Sequence, residues 1–435
     1  MTDPRAFLNS LVNMESGVGV PAGSRRGAPT LERIRALLTY LGSPETQFPA
    51  IHLTGTNGKT STARIMTQLL MHMGFSVGSF TSPHLERVNE RIMYQGEPIS
   101  DHDLDEVLAA VALVEEQVQV NPSFFDVLTA AAFRWFDDIA VDVAVVEVGL
   151  GGTWDTTNVV DGRVAVVTNV GIDHVEYLGP TREQIASQKA GIVKPGSILV
   201  LGETDPDIAD LFLDRGAERV IRRDADFGVR SNVLALGGRL IDVYTPHRTY
   251  ADLQLPLHGA YQADNAAAAL AATEAFVGAA LDDDVVAAAF ANVRSPGRLE
   301  VVGRQPLILL DGAHNVAGAE ALRAALSEEF ASGPRTLVVG LLREKDPHEM
   351  LGALGIDEAS VLVLCRPPSP RALDPALLAK AAVELGFDEE HIEVVDTVKE
   401  AVATAILNTP DDGQIVISGS LYLVGAARTI LVRSA

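Results

Sequence analysis

Short apolar runs alternate with helical stripes along most of the chain. Ile51 to Leu53 form one such run, which breaks into GTNGKTST. Behind it Ile65, Met66, Leu69, Leu70 and Met73 fall on one face of a helix that stops at Gly74. Phe75 to Phe80 reads as the next strand, so the stretch predicts a strand–helix–strand unit. Val141 to Val148 (VDVAVVEV), Arg163 to Thr168 (RVAVVT) and Ser197 to Leu201 (SILVL) are continuous apolar runs, the kind that form a parallel sheet covered on both faces. A doubly wound α/β domain is expected. Ligands of such sheets sit at the carboxyl ends of the strands, so the polar residues just past each run are the candidates for chemistry.

The pattern then changes. Arg230 to Leu257 reads as a hairpin-like section containing GGRLIDVY, and an alanine-rich helix is expected from Asn265. RSPGR, Arg294 to Arg298, suits a linker. Beyond it a second α/β series runs through Leu307–Leu310, a helix from Gly318, Thr336–Val339, Ser360–Cys365, Ile392–Val395 and Gln414–Ser418. The expected architecture is a mostly parallel, doubly wound domain over residues 1–295 and a smaller Rossmann-like α/β domain over 296–435.

The break after the first run carries chemistry. Gly55 and Gly58 let successive N–H groups turn toward one anion at a helix N-terminus, Lys59 adds a charge for terminal phosphates, and Thr60 or Ser61 a hydroxyl for magnesium. The spacing departs from G-x-x-x-x-G-K-[ST], because Gly55 lies only four residues before Lys59. A glycine turn with an incidental lysine is the alternative; the strand and helix on either side favour the phosphate cradle and a P-loop-type domain.

Charge narrows the partners. With 34 basic against 58 acidic residues the formal charge is -24, unfavourable for non-specific binding of nucleic acid or an anionic membrane, so neither is expected as a partner. An anionic substrate must be captured by local groups such as Lys59. A single cysteine, Cys365, excludes an internal disulfide framework and a cysteine zinc cluster and fits a reducing compartment. MTDPRAFLNSLVNMES lacks the apolar core of a signal peptide, and the alanine-rich stretch Ala266 to Leu281 is interrupted by Thr273 and Glu274. A cytoplasmic protein is expected.

Several polar residues follow the apolar runs. Glu147 closes a strand in VVEVGLGG, where a buried carboxylate needs a metal, a metal-bound water or a hydrogen-bond network. His174, in TNVGIDHVEYLG, is a structural histidine or a ligand at the same sheet edge. Lys189, in SQKAGIVKPG, reads by default as a solvated helix lysine or a phosphate contact. Ser82, in FTSPHL, reads as a turn cap on local sequence. Asp311 and His314, in LLDGAHN, are a catalytic or nucleotide contact or a turn that begins another helix.

Taken together, GTNGKTS, TSPHL, SFFDVLTAAAF, EVGLGG with D-x-T-N, TNVGIDHVEYLG, QKAGIVKPG, PGRLE and DGAHN resemble the folylpolyglutamate synthase and dihydrofolate synthase family of the Mur ligase superfamily, in order from about residue 27 to residue 425. The resemblance implies an ATP-dependent amide ligase. In that family a carboxylate attacks the γ-phosphate of ATP, and the amine of L-glutamate then displaces phosphate from the acyl phosphate. It further implies that Asn57, Gly58, Lys59, Thr60 and Ser61 wrap the phosphates, that Ser82 and Glu147 hold one magnesium, and that His174 and Lys189 hold a second, with Lys189 as a carbamate. Asn265 and Arg298 look like nucleotide contacts, and Asp311 and His314 like the second domain's contribution. Phe124, Phe125, Asp126, Trp154 and Asp155 lie where the family binds a pterin-containing acceptor, either dihydropteroate or a reduced folate. For both phenylalanines core packing is an equal alternative. Family precedent implies a monomer.

Departures from the family pattern fall at Thr60, Asp126, Thr153, Tyr261 and Val316, and none removes a candidate metal or phosphate ligand. Two rivals remain. A peptidoglycan ligase of the same superfamily needs a further domain before the P-loop, for which the stretch before Gly55 is too short. A P-loop hydrolase or switch protein leaves DGAHN and PGRLE without a role. Closure of the second domain across RSPGR is expected to complete the site.

Overall fold

The computed structural model describes residues 3–13, 31–331 and 333–432. Residues 27–30, where the family resemblance begins, and residues 1–2 and 14–16 of the amino-terminal segment lie outside these. The chain divides into two compact units. One comprises the residues up to Ala235 with Arg239–Pro256 and Gln262–Val293; the other comprises Arg294–Ala435 with Leu236–Gly238 and Leu257–Tyr261.

The first unit is built on an eight-stranded sheet. Its strands are β1 (Ala50–Thr54), β2 (Val77–Phe80), β3 (Ile92–Tyr94), β4 (Glu97–Pro98), β5 (Val143–Glu147), β6 (Gly162–Val167), β7 (Ile198–Leu201) and β8 (Arg219–Arg222). Their order is β4-β3-β2-β5-β1-β6-β7-β8. From β2 to β8 every pairing is parallel, and β1, β2 and β5 are buried at every position, as continuous apolar runs require. Ala144 and Val146 of β5 join one core cluster with Phe48, Phe80, Phe133 and Phe136. Ala165, Val167, Leu199 and Leu201 join another with Leu178, Ile185 and Phe212. Phe48 meets Phe133 and Phe136 edge to face at 5.9 Å, and Phe136→Ala would cost about 3–5 kcal/mol through the cavity it leaves.

The antiparallel edge strands β3 and β4 were not foreseen. A tight turn at Gln95 and Gly96, both at positive φ, joins them, and such short strands carry little periodic signal. The hairpin-like section adds a strand and becomes a three-stranded sheet, β9 (Gly228–Ala235), β10 (Gly238–Tyr244) and β11 (Thr249–Leu255), in the order β11-β10-β9. The alanine-rich helix begins at Tyr261, four residues before the expected Asn265.

In the second unit β12 (Glu300–Arg304), β13 (Leu307–Leu310), β14 (Arg335–Val339), β15 (Val361–Leu364), β16 (Ile392–Val394) and β17 (Gln414–Ser418) form a sheet of order β12-β13-β17-β14-β15-β16. Only β12 is antiparallel. The RSPGR stretch is bonded into this unit: Gly297 N–H donates to Glu300 Oε2 at 2.8 Å, and Gly312 N–H to Gly297 O at 2.8 Å. Residues 257–261 belong here because Glu329 holds them. Its carboxylate is 2.8 Å from His258 Nδ1 and accepts Gly259 N–H at 2.7 Å. Among the described residues no helix is long and apolar enough to cross a membrane.

Candidate active site

Parallel register brings the carboxyl ends of the first sheet to one edge. Leu53 pairs with Glu147, Thr54 with Val167 and Phe80 with Val146, so Gly55, Glu147, Thr168 and Ser82 all emerge there. Both loop glycines are forced by close approach. A Cβ on Gly55 would lie 1.8 Å from Thr168 Oγ1, and one on Gly58, at φ +84°, would lie 2.3 Å from Asn265 Oδ1. The helix Lys59–His72 starts directly after Gly58 and buries Ile65, Met66, Leu69 and Leu70. Lys59 folds over its own loop, donating to Gly55 O at 3.0 Å and Thr56 O at 3.2 Å. The next residue in the helix, Thr60, donates its hydroxyl to Glu147 at 2.9 and 3.1 Å. Ser61 follows, buried.

Glu147 is 1 % exposed, yet nothing apolar satisfies a carboxylate, and the Thr60 hydroxyl and the Ser82 amide are among its neighbours. Ser82 is buried, and its backbone N–H lies 3.4 Å from Glu147 Oε2, which places the residue beside the strand-end acid. The solvated reading of Lys189 is corrected. It ends the helix Arg182–Lys189, is 4 % exposed, and donates to Gly55 O at 2.7 Å. Burial, reinforced by the charge of Lys59, holds its amine well below the ordinary lysine range, against the pull of Asp173 and Asp155. The glycine loop after β5 sets this position: a Cβ on Gly152 would lie 2.7 Å from Gln188 O and 2.9 Å from Lys189 O.

His174 stands at φ +50° before the short helix Val175–Leu178, with its side chain partly exposed. Its N–H donates to the buried Asp173 at 2.9 Å. The segment leading to it is stitched to the glycine loop of residues 55–58. Thr168 Oγ1 and Asn169 Nδ2 both donate to Asn57 O, at 2.7 and 3.1 Å, and Asn57 N–H donates to Asn169 Oδ1 at 3.0 Å. Thr168 and Asn169 stand in the quoted TNVGIDH motif, yet only their position as the first polar residues after β6 could have marked them.

The candidate acceptor residues divide into anchors and rings. Asp126 caps its own helix, Phe124–Asp138, by accepting from the N–H and hydroxyl of Ser123 at 2.7 Å each, and Arg33 lies 3.5 Å away. Asp155 is buried under donors: Thr157 Oγ1 at 2.5 Å, Leu150 N–H at 2.8 Å and Thr157 N–H at 3.0 Å. Desolvation nevertheless pushes its carboxyl up to about 6, against those hydrogen bonds. Thr157 also touches Nε2 of the fully buried His52 at 2.9 Å, and burial with the nearby Lys194 lowers that imidazole to about 3. Phe124 packs in the core under the Arg91 guanidinium, 5.6 Å from its ring centre. Phe125 is half-buried against Phe80 at 5.6 Å, and Trp154 lies half-buried along Gly151.

In the second unit Asp311 follows β13. It is buried and accepts from Leu299 N–H and Ala313 N–H at 2.8 Å each. Burial raises its pKa, and Arg298 and the two amides draw it back. The Arg298 guanidinium lies over Gly312, where a Cβ would come within 2.4 Å of Nη1. His314 Nδ1 is 2.8 Å from Gly312 O, and Asn315 caps the helix Val316–Glu329.

Two family models match the chain. Residues 53–273 match the Mur ligase middle domain, and residues 297–421 match the Mur ligase glutamate ligase domain. A P-loop sheet followed by a glutamate ligase domain defines an amide-forming ligase of the Mur class. The dihydrofolate synthase/folylpolyglutamate synthase of Mycobacterium tuberculosis is 42% identical over 442 residues, covering 93% of this chain and 90% of that protein. The chain therefore belongs to the dihydrofolate synthase/folylpolyglutamate synthase family. The solved structure of Mycobacterium tuberculosis folylpolyglutamate synthase complexed with ADP and AMPPCP superposes with a TM-score of 0.88 at 41% identity, over 93% of this chain and 95% of that one. A bifunctional folylpolyglutamate synthase/dihydrofolate synthase from Yersinia pestis, complexed with AMPPNP and Mn ion, gives 0.85 at 27% identity over 99% and 98%.

Proposed function

We propose that this protein joins L-glutamate to the carboxylate of dihydropteroate, of a reduced folate, or of both, using ATP and passing through an acyl phosphate. The observation that carries the reading is the convergence of Lys59, Thr60, Glu147, Ser82 and Lys189 at one sheet edge, in a chain of this family. A carboxylate resists attack because it is anionic; phosphorylation removes that charge and provides a leaving group. The site must then neutralise phosphates brought close to a carboxylate.

Residues Asn57 to Ser61 hold the phosphates, with Lys59 released from its own loop carbonyls to meet them. Asn265, packed on Gly58, fixes the loop from behind and contacts the nucleotide. Ser82 and Glu147 fit one divalent cation, because a buried carboxylate beside rotatable hydroxyls is an oxygen-donor set. His174 and Lys189 fit a second, provided Lys189 carries a carbamate; burial disfavours the charged form of its amine, and the uncharged amine is the form that adds carbon dioxide and loses a proton. Magnesium bound there would neutralise phosphate charge during transfer. Arg298, Asp311 and His314 are the second unit's nucleotide contacts. The half-buried rings of Phe125 and Trp154 stack against the acceptor, while Phe124, Asp126 and Asp155 hold the walls that position them.

The test is mass spectrometry of products after incubation with ATP, magnesium, L-glutamate and either dihydropteroate or tetrahydrofolate. A glutamate adduct of dihydropteroate establishes the synthase reaction, and an adduct of tetrahydrofolate the polyglutamylating one. ATP hydrolysis without either adduct would replace the folate acceptor by another carboxylate.

A further inference from the structure

The phosphate loop and the loop that carries His174 are joined by two reciprocal clasps. The Thr56 hydroxyl reads both polar groups of Gly171, donating to its carbonyl at 3.1 Å and accepting its N–H at 2.9 Å. The Asn169 carboxamide reads both polar groups of Asn57, accepting its N–H at 3.0 Å and donating to its carbonyl at 3.1 Å. Between the clasps Thr56 N–H donates to Asn169 O at 3.1 Å. The outer side is held as well: Val170 N–H donates to Glu203 at 2.8 Å, and Arg182 donates to Val170 O at 3.0 Å. Arg182 in turn pairs with Glu203 at 3.1 Å and Asp205 at 2.6 Å. The peptide groups of residues 170 and 171 thus have side-chain partners on both their N–H and C=O groups, three residues before His174.

Amide and hydroxyl pairs that each donate and accept fix distance and orientation together, because a shift of one loop breaks both bonds of a clasp at once. We propose that Thr56 and Asn169 are positioning residues that transmit occupancy of the phosphate loop to the His174 loop. Nucleotide phosphates that order residues 57–61 thereby order residues 169–174 and set the distance between the phosphates and His174. The inference rests on the reading of residues 57–61 as the phosphate holders and of His174 as a metal ligand, and it adds a means of coupling the two.

The experiment is hydrogen exchange of the full chain with ADP in EDTA, so that no divalent metal contributes, with calorimetry of ADP binding alongside. In the unaltered chain ADP slows exchange in residues 59–62 and, about tenfold, in residues 170–174. In Asn169→Ala and Thr56→Val ADP still binds and protects 59–62, but protection of 170–174 is lost. Thr56→Ser keeps the hydroxyl and retains it, which separates loss of the clasp from general damage and serves if Thr56→Val does not fold. With magnesium present, the tightening of ADP binding by the metal falls about tenfold in Asn169→Ala. If ADP protects 59–62 while 170–174 responds equally in parent and variants, or not at all, the coupling is overturned and the cradle stands. If ADP neither binds nor protects 59–62 in the parent, the cradle reading fails and the coupling fails with it.

Discussion

Each of the two parallel sheets ends an apolar strand near a buried carboxylate, Glu147 after Val143–Val146 and Asp311 after Leu307–Leu310, and the two acids are held by different kinds of donor. Asp311 receives one backbone N–H on each oxygen, from Leu299 and Ala313. Those donors are fixed in direction and cannot accept anything themselves. Glu147 receives the Thr60 hydroxyl on both oxygens and faces the Ser82 amide at 3.4 Å. A hydroxyl can rotate its proton away and present lone pairs, so Thr60 can turn from a donor to Glu147 into a ligand for a cation. The same sequence pattern therefore yields an acid locked into its turn in one unit and an acid free to change partners in the other.

The largest effect is expected where partners must change. Glu147→Gln should lower glutamate-dependent phosphate release about 10³-fold, the scale of losing one preorganised charge in a polar site, while the melting temperature stays close to that of the parent. A variant that instead unfolds would erase the contrast with Asp311. A third buried acid, Asp155, sharpens it through pH. Its folded value of about 6 lies above an unfolded value near 3.9. Below about pH 4 both states are protonated and the full stability is present; as pH rises toward 6 the unfolded chain ionises first, and stability is lost across that window and stays lost above it. Relative to Asp155→Asn, chemical denaturation should show the parent losing up to ~3 kcal/mol between about pH 4 and pH 7.5. Parallel stability profiles for the two proteins would show that Asp155 is not held this way.

Smaller effects test the frame around these acids. Gly58→Ala places a methyl 2.3 Å from Asn265 Oδ1 at a left-handed φ, and a misplacement of about 1 Å in the loop should cost about 10²-fold in kcat/KM for ATP. Asp311→Asn is expected to do the reverse of Glu147→Gln. It replaces an acceptor of two amides by a group that accepts on one side only, lowering stability by about 1–3 kcal/mol in urea denaturation, with turnover reduced less than tenfold. Loss of turnover at unchanged stability would make Asp311 the chemically active acid of the second unit.

Much of this was legible in the chain. The runs around Ile51, Val143, Val164 and Leu307 announced parallel strands because residues buried on both faces must be apolar without alternation. Gly55, Gly58 and Lys59 announced a tight turn running into a helix, because glycine tolerates the close approach and the left-handed φ that the turn requires. Lys189 was not legible. Its neighbours in SQKAGIVKPG are those of an ordinary helix end, and the groups that surround it, Gly152 against its backbone and Gly55 at its amine, come from distant segments. Asp155 and Asp126 looked like polar residues available to a ligand, whereas their oxygens are engaged by donors from their own turns.

The sequence by itself determined the elements, the two α/β series and the family, because period and turn chemistry are properties of neighbours a few residues apart. Tertiary structure decided which polar groups meet. The order β2-β5-β1-β6 brings Ser82, Glu147, Gly55 and Thr168 to one edge, and the clasp of Thr56 on Gly171 joins residues 115 apart in the chain. Local pattern reports whether a position is buried. What a buried charge or hydroxyl then does depends on partners that only the fold delivers, because desolvation makes their presence or absence the dominant energy at the site.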